Sequence, residues 1–357
     1  MRLSALSRGI ALAALGALPM AALACKGGAS AAGASQVQGG QQNAAAGAPG
    51  ATGGGSAVPN QRNRAPDLTH IENSAVIADR EYEVRSEFGG MLKFHERLYS
   101  DGLGQLRLDL IEVWDAQTQA WIPPHPLIQS LYEPRTFNLV RQRDLHTGHP
   151  NALYGNYEWN PQSATVTIAG KSCTHTVARS LRGTGDIHLY HETTTNLLLR
   201  WEVLNESGTS ALSSLTTTSL NETPDLNQVQ WIPDRVLEQE YDPATHDPLL
   251  GFTPHSPTAP PAGYYLWKRE FVNASQLDAG LPLLYVEHWT DGVRKMILAQ
   301  HKIPPPLPNQ PQGLHTALRS QVGGVAVVEA DLYDRHVFGL GGLPLSDLEV
   351  VFGSLVQ

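Results

Sequence analysis

Fourteen histidines, 34 aspartates and glutamates and two cysteines are the residues with which this 357-residue chain could do acid–base, metal or thiol chemistry. Their spacing argues against most of it. His188 and His191 are three apart in a stretch of strand character, so they point to opposite faces and do not converge on one ion. His146 and His149 flank Thr147-Gly148 in a loop with the composition of a solvated turn. There is no His-Glu-x-x-His, no Gly-x-Ser-x-Gly and no phosphate-cradling glycine loop ahead of a helix. Gly339-Leu340-Gly341-Gly342 is a turn before the last helix, not a nucleotide site. The carboxylates are scattered and form no acid–base pair by sequence. Cys173 is a lone thiol inside a strand region, the pattern of a buried, inert residue. The sequence therefore predicts no catalytic residue, no metal and no cofactor, and so no enzyme.

Cys25 is the exception. Arg2 and Arg8 flank the start of an apolar run from Ile10 to Leu23, which ends in Ala22-Leu23-Ala24-Cys25. A basic start, a short apolar stretch and small residues before a cut describe an export signal, too short to remain as a spanning helix. A cysteine directly after Ala24 resembles a bacterial lipobox, in which the thiol is acylated (palmitate is one such group) and becomes the mature N-terminus. Ala22 stands where that motif favours leucine. Gly27 to about Arg64 follows, rich in Gly, Ala, Gln and Ser and almost without charge, the composition of a flexible tether. Such a coil spans roughly 30–37 Å on average. The predicted layout is a lipoprotein signal peptide at 1–24, a lipid-anchored Gly/Ala/Gln tether at 25–65, a first domain at 66–235, a Pro/Gly-rich linker at 236–262 and a second domain at 263–357. That order predicts a membrane-anchored envelope lipoprotein facing the periplasm, at the outer rather than the inner membrane. The net charge of −9 and the lack of a Lys/Arg-rich stripe exclude a nucleic-acid partner.

Alternation of apolar and polar residues dominates the first domain. Strands are expected at 81–86, 92–98 and 105–114, after a short helix over 67–78. Helical spacing of Leu127, Ile128, Leu131 and Tyr132, broken at Pro134, predicts short helices between 123 and 147 that cross the sheet. The best-patterned stretch runs from Thr165 to Leu220 as consecutive strands joined by polar turns. Within it Leu197, Leu199, Trp201 and Val203 share one face while Arg200 and Glu202 take the other, the period-2 signature of a half-buried antiparallel strand. That face is either a packed core or the wall of a ligand cavity.

The succession Val166-Thr167-Ile168-Ala169-Gly170-Lys171, Ile187-His188-Leu189-Tyr190, then Thr194-Thr195-Asn196-Leu197-Leu198-Leu199-Arg200-Trp201-Glu202-Val203-Leu204 and Gly208 resembles the MucB/RseB family and the wider LolA-like lipoprotein carriers. Lys171 stands where the family favours arginine, and Asn196 at the turn glycine, where asparagine also accepts a left-handed backbone. In the second domain, Pro261–Tyr264, Tyr285–Lys295 with its Asp291-Gly292 hairpin signal, and Gly339–Leu355 resemble the C-terminal part of the same family. The last helix is expected to carry a capping box, Ser346 and Glu349, and one apolar stripe of Leu348, Val351, Phe352 and Leu355.

The resemblance implies a mainly β, α+β architecture. Its first domain would be a strongly curved antiparallel LolA-like sheet with crossing helices and a cavity for acyl chains, followed by a smaller α+β domain. It also implies binding of lipid or lipoprotein acyl groups, or of a periplasmic segment of an anti-sigma-type membrane protein, in the regulation of an envelope-stress sigma-factor pathway. Two alternatives stand beside it: a lipoprotein or lipid carrier of the envelope, and an envelope hydrolase with an unrecognised site.

Overall fold

In the computed structural model of the chain, the described residues are 64–86, 90–124, 143–145, 147–231, 237–273, 282–303, 314–322 and 324–355. The expected signal peptide, Cys25, the tether, most of the helical 123–147 stretch and His146 lie outside them.

The first sheet has nine strands: β1 (Ala75–Arg85), β2 (Met91–Asp101), β3 (Leu106–Asp115), β4 (Ala120–Ile122), β5 (Tyr157–Ile168), β6 (Lys171–Ser180), β7 (Ile187–Glu192), β8 (Leu198–Leu204) and β9 (Ala211–Asn221). A short helix α1 (Pro150–Asn156) precedes β5. The strand order is β4-β3-β2-β1-β9-β8-β7-β6-β5, so two antiparallel meanders meet where β1 pairs with β9. Within each meander every step is a hairpin, which is why the turn chemistry is legible. At the β5–β6 turn Ala169 and Gly170 both take positive φ, +48° and +77°, and at the β7–β8 turn Asn196 takes +57°. The strongly curved sheet expected from the family resemblance is not present. β4 and β5 remain as separate edges, and no sheet closes or curls tightly. Closure needs the outermost strands to meet and pair, and here they are the two ends of an open nine-strand order.

The expected helix over 67–78 is also replaced. Only Ile71–Asn73 turns, as 3₁₀, and Ala75 already opens β1, because Val76, Ala78, Tyr82 and Val84 alternate into the core at period 2. Just before that turn, Thr69 bridges to Leu197 in parallel, receiving the Leu198 N–H at 2.9 Å and donating to Asn196 O at 2.9 Å.

The second sheet orders β10 (Leu237–Glu240), β11 (Tyr265–Asn273), β12 (Leu283–Thr290), β13 (Lys295–Lys302), β16 (Arg335–Gly341), β15 (Val325–Leu332) and β14 (Leu314–Val322). Helix α2 (Pro243–Leu250) sits between β10 and β11, so much of the 236–262 stretch has secondary structure: β10 pairs with Glu270–Asn273, and Asp242 caps α2 through the Ala244 N–H. Helix α3 (Leu345–Gly353) ends the domain with Leu348, Val351 and Phe352, and Leu355 just beyond, buried against the sheet. Phe352 passes so close to Gly339 that a Cβ there would stand 2.5 Å from its ring. The capping box is not formed. Pro344 is the N-cap and Ser346 lies inside the helix; the Leu345 N–H is instead satisfied by the Gln321 side chain of β14 at 2.7 Å. Among the described residues no helix is long and apolar enough to cross a membrane.

Candidate functional site

Period-2 alternation gives the first sheet two unlike faces. The outer one is a lattice of ion pairs and rings: across strands, Arg97 with Asp79 at 2.6 Å, Lys93 with Glu83 and His95 stacked on Trp121, and along β3, Arg107 with Asp109. His188 points outward here and its Nδ1 meets Nε2 of His175 on β6 at 3.2 Å, while His191 turns inward against Thr176. The two histidines on β7 therefore diverge as their spacing requires. The pairing of His188 with His175 crosses strands and had no sequence signal.

The inner face carries Leu197, Leu199, Trp201 and Val203, which are 3%, 1%, 2% and 7% exposed and belong to one hydrophobic cluster with Tyr82, Phe94, Trp159 and Leu189. Set into this apolar face is a polar island. Arg80 of β1 and Glu96 of β2 occupy directly paired positions, both 1% exposed. Arg80 donates to Asp144 at 2.7 Å and to Glu96 at 3.3 Å, and Arg143 donates to Glu96 at 2.5 and 2.9 Å while lying over the Tyr82 ring at 4.3 Å. Two guanidinium groups thus face two carboxylates, the condition under which buried charges persist. Burial works against the Asp144 anion, yet Arg80 and Arg143 together hold its carboxyl below the usual range. Beside the island is a cavity of ≈ 20 Å³ lined by His70, Arg80, Asp144, Trp201, Leu215 and Thr217, room for a water or two and not for an acyl chain. The Arg80 Nε and Trp201 Nε1 donors are buried without partners among the described residues, and such donors suit a bridging water.

The two sheets meet at a second polar cluster, which sequence reasoning missed. The β12–β13 hairpin, Thr290 to Lys295, turns on Asp291-Gly292 as its sequence predicts, with Asp291 Oδ1 accepting the Val293 and Arg294 N–H groups at 3.0 and 2.7 Å. Its other carboxylate oxygen reaches the first domain and accepts the Tyr157 hydroxyl at 2.6 Å. Arg294 donates to Asp291 at 2.9 Å, to the Tyr157 oxygen at 3.1 Å and to both oxygens of Thr184. Asn156, at the end of α1, donates to Gly263 O and Asp291 O, each at 2.8 Å, and accepts from Arg182 at 2.5 Å. Burial and the neighbouring Asp291 push the Tyr157 hydroxyl well above its ordinary pKa, so it stays a donor. Val293, 1% exposed, inserts into the hydrophobic cluster of the first domain. Gly292, at φ +104°, lies against the α1 backbone and accepts the Gly148 N–H at 3.1 Å.

Cys173 is buried, its thiol pushed up by burial and unreactive in this setting. Among the described residues no three His, Cys, Asp or Glu side chains gather as a group able to hold a metal. What these arrangements can do is position surfaces: one packed sheet face, and two sheets joined through the Asp291 hairpin.

Compared with known proteins, the chain matches no protein-family model and no curated sequence. Among solved structures it is similar to MucB in complex with MucA(peri), at 17% identity over 80% of this chain and 94% of that one, with a TM-score of 0.46. It is similar to MucB of the Pseudomonas aeruginosa MucA/MucB complex, at 17% identity over 77% and 90%, with a TM-score of 0.41. It is also similar to a putative outer membrane lipoprotein-sorting protein domain from Vibrio parahaemolyticus, at 7% identity over 44% and 89%, with a TM-score of 0.19.

Proposed function

We propose that this chain is a lipid-anchored, non-enzymatic envelope protein. In this reading its two β domains act as one body to bind the periplasmic segment of an anti-sigma-type membrane protein, in the way that MucB was solved with MucA(peri). The carrying observation is where the family-like segments fall. Val166 to Gly208 builds the end of β5 and all of β6–β8 in the first sheet, and Pro261–Tyr264, Tyr285–Lys295 and Gly339–Leu355 contribute to the strands, the Asp291 hairpin and the closing helix of the second. The Asp291 hairpin among them is the element that joins the domains. A protein partner is favoured over an acyl ligand because Leu197, Leu199, Trp201 and Val203 are packed into one hydrophobic cluster, and the cavity beside them among the described residues is small.

The test is capture by crosslinking of the full-length protein in its own envelope. Recovery of a membrane-spanning protein whose periplasmic segment rebinds the purified chain supports the reading. Native mass spectrometry showing stoichiometric bound lipid and no protein partner would replace it with the carrier reading. For the anchor, palmitate labelling is expected on the wild-type chain and absent from Cys25→Ser; labelling that survives the substitution rejects Cys25 as the site.

A further inference from the structure

The second sheet holds a row of ionisable residues at one end that neither the core nor the domain junction uses. Register sets His301 of β13 opposite His336 of β16, and His336 opposite Asp331 of β15. The same register continues to position 315, also a histidine, opposite Asp331 on β14. Glu329 is two residues from Asp331 and so on the same face.

The hydrogen bonds fix what each imidazole offers. His336 Nδ1 is 2.7 Å from the Asp331 carboxylate, which only accepts, so Nδ1 carries the proton and Nε2 keeps its lone pair. His336 is 5% exposed, and Nε2 is buried with no partner among the described residues. His301 Nδ1 is 3.0 Å from the Lys302 carbonyl, another pure acceptor, so its free lone pair is also on Nε2. A carboxylate behind one imidazole and a carbonyl behind the other is the arrangement that orients histidines as metal ligands. The two ring centres are 5.1 Å apart. Two imidazoles on one tetrahedral ion, bonded through nitrogen at ~2.0–2.1 Å, would place their ring centres about 5 Å apart.

We infer that His301 and His336 bind a divalent transition-metal ion through their Nε2 atoms, with Asp331 as the positioning residue behind His336. Imidazole donors suit zinc, copper or nickel rather than calcium or magnesium. With two protein ligands, water completes the coordination. Asp331, whose side chain is 51% exposed, holds the Nδ1 edge of the His336 ring, opposite the proposed ion. Arg335 and Lys302 do not oppose the charge, because they occupy the other face of the sheet, where Arg335 donates to Thr253 O and Lys302 to Gly251 O. The inference is independent of the proposed protein partner.

The test uses the untagged, chelator-stripped chain titrated with zinc sulfate by calorimetry, and with cobalt(II) by absorption spectroscopy. One equivalent of zinc is expected, with cobalt bands of low-symmetry coordination. His301→Asn and His336→Asn should each weaken zinc ~10-fold or more, and Asp331→Asn by about 10–100-fold. His175→Asn, in the separate outer-face pair, should leave zinc affinity unchanged. Absence of stoichiometric binding to the wild-type chain, or affinity that survives both His301→Asn and His336→Asn, overturns the inference. If His336→Asn fails to fold, the partly exposed His301 carries the same comparison. X-ray absorption of the zinc-loaded wild-type chain must then show two imidazoles; fewer overturns the site.

Discussion

Replacing Gly292 with alanine tests whether the β12–β13 hairpin locks the domains. A Cβ built there would stand 2.5 Å from Leu153 N, 2.8 Å from Leu153 Cα and 2.9 Å from Ala152 C. All three are backbone atoms of α1, so no side chain can swing aside. The position also has φ +104°, where an L side chain is strained. Strain contributes about 1–3 kcal/mol, and overpacking against a fixed backbone another ~1–3 kcal/mol. The expected loss is therefore about 2–6 kcal/mol, relieved by the hairpin backing away from α1. Gly104 supplies the control, because it has φ +110° and nothing within 4 Å of the same built Cβ. Gly104→Ala should therefore report strain alone. Urea unfolding of both variants isolates the junction contribution as their difference. Limited proteolysis should show faster cutting in the 251–263 loop for Gly292→Ala only. If Gly292→Ala is no less stable than Gly104→Ala, within ~0.5 kcal/mol, the hairpin does not clamp the domains and the reasoning fails.

Glu96→Gln removes the carboxylate held by Arg80 and Arg143 at a site with no side-chain exposure, and should cost about 3–5 kcal/mol in urea unfolding; a loss under ~1 kcal/mol would show the island to be hydrated. His70 is held down to about 4 by burial first and then by the Lys295 charge, against the pull of Asp144. The unfolded chain takes up this proton near 6.5 and the folded chain only near 4, so acid favours the unfolded state. Stability should fall by on the order of 2 kcal/mol across that interval, and His70→Gln should flatten that part of the pH profile; an unchanged profile in the variant rejects the assignment. In a Cys25→Ser chain, Cys173 should resist a thiol-directed reagent until denaturant is added, since it is fully buried with its thiol pushed up; rapid labelling of the folded protein would contradict its placement.

Much of the first sheet was legible because its strands are local. β5 to β9 follow one another through short turns, and the apolar beat of Leu197, Leu199, Trp201 and Val203 continues unbroken into the core. The polar island was hidden by its residue types. Arg80 sits on the beat of Val76, Ala78, Tyr82 and Val84, and Glu96 on that of Phe94 and Leu98, so each charge reads as an interruption rather than an inward side chain. A charge on an apolar beat in two neighbouring strands is a usable signal, once the strands are known to pair. β14 was missed because Leu314–Val322 mixes apolar and polar residues around a bulge at Thr316/Leu318, which breaks the alternation. β10 and α2 were hidden in a proline-rich stretch, where Pro243 opens α2 rather than ending structure. The Ser346 capping box failed because tertiary structure supplied another acceptor, Gln321.

The junction divides its work between two kinds of contact. Val293 contributes the apolar part, about 1.5–3 kcal/mol for burying one such side chain. The bonds among Asp291, Arg294, Tyr157, Asn156 and Thr184 contribute much less net stability for their number, because each group gave up water to be there. Their contribution is orientation. Asp291 satisfies its own turn with one oxygen and Tyr157 with the other, and Arg294 reaches Thr184 only when the hairpin is seated. Any rotation of one domain would strand several buried donors and acceptors at once, at a cost of about 1–3 kcal/mol each. A partner contacting both sheets would therefore meet a fixed relative placement of them, and would gain affinity by not having to order two hinged bodies.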